Sequence, residues 1–232
     1  MRNGNIITIE KLSKSFPIGG GEFTALSGIY LTFEKGEFSG IVGPSGSGKT
    51  TLLNILGSLD TPSEGQTNVL GRASTQMNPK VAAKLRKQHI GFIFQTYNLL
   101  PVYTVYENVE FPLLLLKKTA AERKKAVLEA LEWVGLTDKI KSKPSQLSGG
   151  ESQRVAIARA MVKKPDLVLA DEPTANLDAE NSHHILQTME KLNQELQTTF
   201  VFATHDEKVI GYLRRIIRLE DGKVVSDENI KK

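Results

Sequence analysis

The sequence predicts an α/β fold: a core with a mainly parallel sheet, an N-terminal antiparallel β subdomain and an inserted helical subdomain. Three observations predict it. A short apolar run, Glu37 to Val42, feeds a glycine-rich turn and then a helical run, Thr51 to Leu56. Three more short apolar runs, Ile90 to Phe94, Asp166 to Asp171 and Thr199 to Ala203, each lead into polar residues. Between the first and second of these, the pattern turns mainly helical from about residue 96 to 163.

The N-terminal elements come first. Ile6 to Leu12 alternates as a strand does, and Ser13-Lys14-Ser15-Phe16-Pro17 is expected to end it. Gly19-Gly20-Gly21 reads as a turn or loop. Phe23 to Phe33 reads as a second strand or pair of strands, closed by Lys35-Gly36. Phe16 has two readings, an exposed stacking surface or a core plug, and the residues alone favour the plug.

Gly43-Pro44-Ser45-Gly46-Ser47-Gly48-Lys49-Thr50 fits G-x-x-x-x-G-K-[ST]. A strand before it and a helix after it are the context that a phosphate-binding P-loop requires. The sheet is therefore expected to be a P-loop NTPase core. Glycines at 43, 46 and 48 allow backbone conformations closed to other residues, so N–H groups can converge on phosphate oxygens. The new helix adds its positive dipole end. Lys49 supplies a mobile charge and Thr50 a hydroxyl for magnesium. A glycine-rich turn that binds nothing is the alternative.

Beyond that helix, residues 60 to 65 form a turn cluster and Gln66 to Leu70 a short strand. Asn78-Pro79 opens a charged helix to about Lys87. Thr104 to Leu116 and Thr119 to Val134 are both expected to be helices. Ala120, Val127, Leu128, Leu131 and Val134 give the second an apolar face, and Gly135 its C-cap. Lys117, Lys118, Arg123, Lys124 and Lys125 crowd its start, as a solvated face or a binding patch. Ser148-Gly149-Gly150 precedes a helix expected over Val155 to Val162. It is either an ordinary N-cap or a second anion site. Asn181 to Leu196 is an amphipathic helix, and Asp221-Gly222 joins two strands as a hairpin.

In a mainly parallel sheet the strand ends at Gln95, Asp171-Glu172 and His205 share one edge with the P-loop, which is where open α/β sheets bind ligands. Asp171 is placed to hold magnesium through water, and Glu172 to orient or deprotonate an attacking water. His205 could contact a phosphoryl group. His89, His183 and His184 lack such a setting.

Composition bounds the class. The 232 residues suit one domain, or one with a subdomain, and 40% are hydrophobic. Lys plus Arg is 30 against 26 for Asp plus Glu, an excess of +4 that is too small to argue for nucleic acid. The absence of cysteine fits a reducing compartment. No signal peptide is read at the N-terminus, and the apolar run Phe111 to Leu116 is far short of the ~20 residues a spanning helix needs. The expectation is a soluble chain able to sit against a membrane protein.

Together these motifs resemble the ATP-binding cassette ATPases over nearly the whole chain. Gly43 to Thr50 matches the P-loop, Gln95 the Q-loop glutamine and Leu147 to Glu151 the signature motif, in which many relatives carry Gln where Glu151 stands. Leu167 to Asp171 with Glu172 matches the Walker B strand and catalytic glutamate, Ala175 to Asp178 the D-loop, and His205 the switch histidine. The resemblance implies one cassette domain over 1–232, with residues 1–95 and 164–232 as the α/β core and 96–163 as the helical subdomain. It implies ATP and Mg2+ as cofactors. Catalytic roles fall to Glu172, His205, Lys49 and Gln95. Nucleotide contacts fall to Phe16, here set against adenine, to Gly43, Pro44, Ser45, Gly46, Ser47, Gly48, Lys49, Thr50 and Thr51, and to Ser148, Gly149 and Gly150 reaching the nucleotide of a second copy. Metal contacts fall to Thr50, Gln95 and Asp171.

Gly91 to Pro101 with Glu107-Asn108-Val109 looks like the branch serving lipoprotein release, macrolide and peptide export and related mechanical transporters. That branch implies a homodimer sandwiching two ATP, transmembrane permease partners, and a place on the cytoplasmic face of the inner membrane. A cassette acting on DNA or ribosomes is the alternative. DNA-repair and chromosome cassettes insert long coiled coils between P-loop and signature, and ribosomal ones usually carry two cassettes per chain. Tyr97, Leu99, Leu100, Val102, Tyr103 and Tyr106 form an apolar, aromatic group behind Gln95. It either docks the membrane subunit or fills the lobe's own core.

Overall fold

The computed structural model describes residues 4–230. Two sheets carry the fold. The first has four antiparallel strands in the order β2-β1-β4-β5, from β1 (Asn5–Ile18), β2 (Gly21–Glu34), β4 (Glu64–Val69) and β5 (Arg72–Ala73). The second has six strands in the order β10-β9-β3-β8-β7-β6. These are β3 (Phe38–Val42), β6 (Ile90–Ile93), β7 (Leu167–Asp171), β8 (Thr199–Thr204), β9 (Arg215–Glu220) and β10 (Lys223–Asn229). All neighbours in it are parallel except the closing β9–β10 hairpin. The fold is the expected α/β arrangement with an antiparallel β subdomain and helices inserted between β6 and β7.

The parallel strands are short because they are buried on both faces. Every residue of β3 and β8 is buried, as is β7 up to Ala170. Such strands read as continuous apolar runs, not as alternation. Two cores result. One packs β1, β2 and α1 (Lys49–Leu56) against one face of the parallel sheet, with Ile7, Leu26, Phe33, Leu52 and Leu56 fully buried. The other joins the opposite face to α3 (Val105–Leu115), α4 (Ala120–Trp133), α5 (Gly149–Met161) and α6 (Ala179–Leu196).

Several expectations need correction. β1 does not stop at Ser13 but continues through Pro17 to Ile18. Beyond Ser13 it pairs only with β2, so its other edge is free and a proline costs no ladder bond there. Phe23 to Phe33 is one strand, paired with β1 along its length. α5 begins at Gly149, six residues before Val155, because Ser148 and Glu151 form a reciprocal capping box that offsets the poor helix propensity of the glycines. On α4, Val127, Leu131 and Val134 are buried as expected, joined by Ala130, whereas Ala120 and Leu128 face solvent. Lys124 and Lys125 are exposed, while Lys118 pairs with Glu122 and Arg123 with Glu110.

α2 (Pro79–His89) is capped by Asn78, with Pro79 in its first turn. The carbonyls of Arg86 and Lys87 in its last turn and of Ile90 at the start of β6 accept the three N–H bonds of Lys163, whose burial pushes its pKa down to about 8. Among the described residues no helix is long and apolar enough to cross a membrane.

Candidate functional site

Parallel register brings the four expected strand ends to one edge. Val42 lies beside Thr204, Asp171 beside Ala203, and Ile93 beside Ala170. The P-loop, Gln95, Glu172 and His205 therefore leave neighbouring strands in the same direction.

The P-loop is shaped by close backbone approach. A Cβ on Gly43 would run into the Leu219 carbonyl, and one on Gly48 would lie 2.6 Å from the Ala25 carbonyl oxygen. Gly48 has φ +101 as N-cap of α1, and Gly46 has φ +82, both in the region that favours glycine. Pro44, Ser45 and Gly46 stand exposed at the turn, and Thr51 is half-buried on α1.

Lys49 is buried, and its Nζ donates to the carbonyls of Gly43 and Pro44, each at 2.8 Å. No carboxylate lies within ion-pair distance of it among the described residues. A buried cation held only by neutral oxygens calls for an anion. Ser47 Oγ, buried in the same turn, has no hydrogen-bond partner among the described residues. Both features fit a polyphosphate.

Thr50 Oγ1 donates to Asp171 Oδ2 at 2.9 Å. Burial raises the Asp171 pKa, with Glu172 adding to the shift, while the Thr50 bond and Lys49 oppose it. A hydroxyl and a carboxylate are hard oxygen donors. The hydroxyl with phosphate and water oxygens, and a carboxylate to accept from such a water, match what magnesium takes. The described residues hold no cluster of three or more His, Cys, Asp or Glu side chains suited to a metal.

Glu172 takes a left-handed backbone, φ +45, immediately past β7. Its amide donates to the Ala203 carbonyl at 2.9 Å. Its carboxylate accepts from Thr204 Oγ1 at 3.0 Å through Oε2 and pairs with His205 Nδ1 at 2.6 Å through Oε1. The carboxylate is largely buried and the His205 ring mostly exposed. Thr204 was not singled out in the sequence. Its place at the buried end of β8, one residue before His205, is the signal that could have found it.

Gln95 is exposed. Its carbonyl accepts from Asn176 Nδ2 at 2.9 Å, which ties the end of the β6 segment to the residues after Glu172. Among the described residues no hydrogen bond joins Gln95 to Thr50 or Asp171. Arg159 of α5 donates to the carbonyls of Tyr97 and Asn98, two left-handed residues, and so fixes the turn behind Gln95. Asn176 falls in the stretch matched to the D-loop, whereas Arg159 carried no signal in the sequence pattern.

Phe16 is exposed near the end of β1, which rules out the core plug; the Lys14 ammonium sits 4.9 Å from its ring centre. Ser148, Gly149 and Gly150 open α5, and Ser148 Oγ accepts from the Glu151 amide at 3.1 Å. The N-cap reading is thus realised. No hydrogen bond joins this turn to the P-loop among the described residues.

The apolar group behind Gln95 divides. Leu99 and Tyr106 pack on the lobe core, Val102 and Tyr103 are exposed, and Leu100 lines a cavity of about 460 Å³. Phe92, Phe94, Phe111, Pro112 and Leu115 complete its apolar wall. The sequence reading did not single out Phe111 or Leu115, which are exposed on α3.

Comparison with known proteins agrees with this geometry. The ABC transporter family profile matches residues 26–175. The lipoprotein-releasing system ATP-binding protein LolD of Pseudoalteromonas translucida (strain TAC 125) is 44% identical over 227 residues, 98% of this chain and 98% of its own. The macrolide export ATP-binding/permease protein MacB of Burkholderia pseudomallei (strain K96243) is 42% identical over 97% of this chain. The chain spans only 34% of that relative's length. Among solved structures, the dimeric post-hydrolysis state of the cassette MJ0796 of Methanocaldococcus jannaschii, bound to ADP and Pi, superimposes with a TM-score of 0.90. It is 40% identical, over 97% of this chain and 99% of that one. The P-loop, the carboxylates at the end of β7 and these likenesses together establish that the chain belongs to the ABC transporter family of ATP-binding cassettes.

Proposed function

We propose that the chain binds and hydrolyses ATP and drives export, lipoprotein release or mechanical work through a membrane partner, by ATP-dependent pairing of two cassettes. The observation that carries the reading is the buried Lys49 ammonium without a carboxylate, set beside the Thr50–Asp171 pair and the oriented Glu172 carboxylate.

Lys49 and the N–H groups of the P-loop bind the β- and γ-phosphates. Thr50 and, through water, Asp171 would hold magnesium, with Gln95 as a further candidate ligand. The metal, when bound, neutralises charge on the phosphate oxygens. Little covalent chemistry is left to the protein, so positioning and charge account for most of the rate. Glu172 accepts the proton of the attacking water. Thr204 and His205 fix its carboxylate in one orientation. His205, donating to Glu172 through Nδ1, can also donate from its second ring nitrogen to a γ-phosphate oxygen when both nitrogens carry protons. Phe16 stacks on the base. Ser148, Gly149 and Gly150 close over the nucleotide of a second copy.

The named relatives support the partner. LolD is the ATP-binding protein of a releasing system, and MacB joins an ATP-binding part to a permease in one chain. The apolar cavity between α2 and α3 supports docking of such a partner, and the proposed site of action is the cytoplasmic face of the inner membrane. Single-turnover cleavage of ATP, with magnesium and after its removal by EDTA, tests the reading. Magnesium-dependent cleavage is expected; cleavage indifferent to magnesium contradicts it.

A further inference from the structure

Glu172 combines a demanding chemical role with a backbone that L-residues seldom adopt. A left-handed non-glycine residue persists only where its surroundings over-determine it. On its N-terminal side that constraint is visible: β7 is laddered to β8, and the Glu172 amide itself donates to Ala203. On its C-terminal side the next residue is Pro173, which has no N–H to offer. In the turn that follows, Ala175 N–H donates to Glu172 O at 3.3 Å and Leu177 N–H to Thr174 O at 3.0 Å.

Side chains outside the segment anchor that side: Asp206 accepts from Thr174 Oγ1 at 2.9 Å, and Gln153 reaches the residue next to Glu172. Gln153 lies on α5, is 0% exposed, and donates from Nε2 to the Pro173 carbonyl at 2.6 Å. Its amide orientation follows from chemistry, because a carbonyl only accepts and the nitrogen must face it. Among the described residues Gln153 Oε1 has no hydrogen-bond partner. The bond to Pro173 is therefore what fixes the amide, and the amide in turn holds the Pro173 carbonyl, one residue beyond Glu172.

We propose that Gln153 is a positioning residue for ATP cleavage: it locks Pro173, and through it the left-handed Glu172, so that the carboxylate stands where water attacks. The same bond joins the helix opened by Ser148, Gly149 and Gly150 to that carboxylate, so displacement of α5 is felt at Glu172. This rests on Glu172 being the catalytic carboxylate.

The test uses Gln153→Met, Gln153→Glu and Glu172→Gln beside the wild type. Methionine keeps the volume and removes the donor. The expected result is kcat about 10- to 100-fold lower, as for a small misplacement of a reacting group, with KM for ATP and magnesium within about threefold of wild type. A buried glutamic acid is pushed toward its neutral form. Protonated, Gln153→Glu regains an O–H that can donate to Pro173. Its kcat relative to wild type should therefore rise as pH falls from 8.5 to 6. Melting temperatures are read for each. Should Gln153→Met fail to fold, the pH profile of Gln153→Glu decides, and a ratio that does not change with pH overturns the proposal. A folded Gln153→Met with wild-type kcat overturns it too. Wild-type cleavage by Glu172→Gln refutes the Glu172 assignment itself, a separate outcome.

Discussion

Thr50 and Asp171 stand 121 positions apart in the chain, yet Thr50 Oγ1 donates to Asp171 Oδ2 at 2.9 Å. One opens α1 and the other ends β7, so the bond closes the P-loop onto the carboxylate end of the sheet. Burial raises the Asp171 pKa, so the folded protein holds this proton more tightly than an unfolded chain does. The sign follows. This group's contribution to stability is fully present below the unfolded carboxylate range and is lost as pH rises through the raised folded value. At neutral pH the burial of this carboxylate disfavours the folded state. Asp171→Asn keeps an acceptor for Thr50 and removes the charge. It should raise the melting temperature of the nucleotide-free protein at pH 7 and weaken magnesium-dependent ATP binding about 10- to 100-fold. Calorimetry in both directions checks it; an unchanged affinity would count against Asp171 as a metal-holding residue.

Lys49 is the cation of the P-loop and meets only two carbonyls. Lys49→Ala should weaken ATP binding by about 10-fold or more, the size of a lost charge-assisted hydrogen bond. Titration calorimetry with magnesium reads this directly. Undiminished affinity would place the phosphates elsewhere.

Gly48 combines φ +101 with a Cβ position 2.6 Å from the Ala25 carbonyl oxygen. Gly48→Ala should therefore cost about 1–3 kcal/mol of stability from backbone strain alone. In a chain of this length each kcal/mol lowers the melting temperature by roughly 2–4 °C. A thermal melt at wild-type temperature would show that the loop relaxes around the added methyl.

Leu99 and Tyr103 separate docking from core packing. Leu99 packs on the lobe core and Tyr103 is exposed. Leu99→Asp should lower the melting temperature, and Tyr103→Asp should leave stability within about 0.5 kcal/mol, as surface changes usually do. If the segment docks a membrane subunit, Tyr103→Asp keeps ATP cleavage and loses copurification with that subunit. Normal assembly by Tyr103→Asp removes the segment from the interface.

The parts legible in the sequence were those with a local signature. β3, β7 and β8 are continuous apolar runs because both faces are covered, and the P-loop and the Asp171-Glu172 pair follow them directly. Other features depend on partners far along the chain. Pro17 looked like a strand end, but at the free edge of β1 it costs nothing. Gly149 and Gly150 looked non-helical until Ser148 and Glu151 were seen to cap each other. Gln153, Arg159, Thr204 and Asn176 act across 20, 61, 32 and 81 positions respectively, and no periodicity announces such contacts. Phe111 and Leu115 read as ordinary helix residues, because a cavity wall made by α2 and α3 together has no period of its own.

The central claim is that Glu172 activates water at a nucleotide shared by two cassettes. Glu172→Gln keeps the shape of the side chain and removes its charge. The measurement is hydrolysis of ATP by this variant, with light scattering on the same sample at saturating ATP and magnesium. The account predicts intact ATP binding, a turnover lower by about 100-fold or more, and accumulation of a dimer that disappears when ATP is withdrawn. Hydrolysis at the wild-type rate would contradict it.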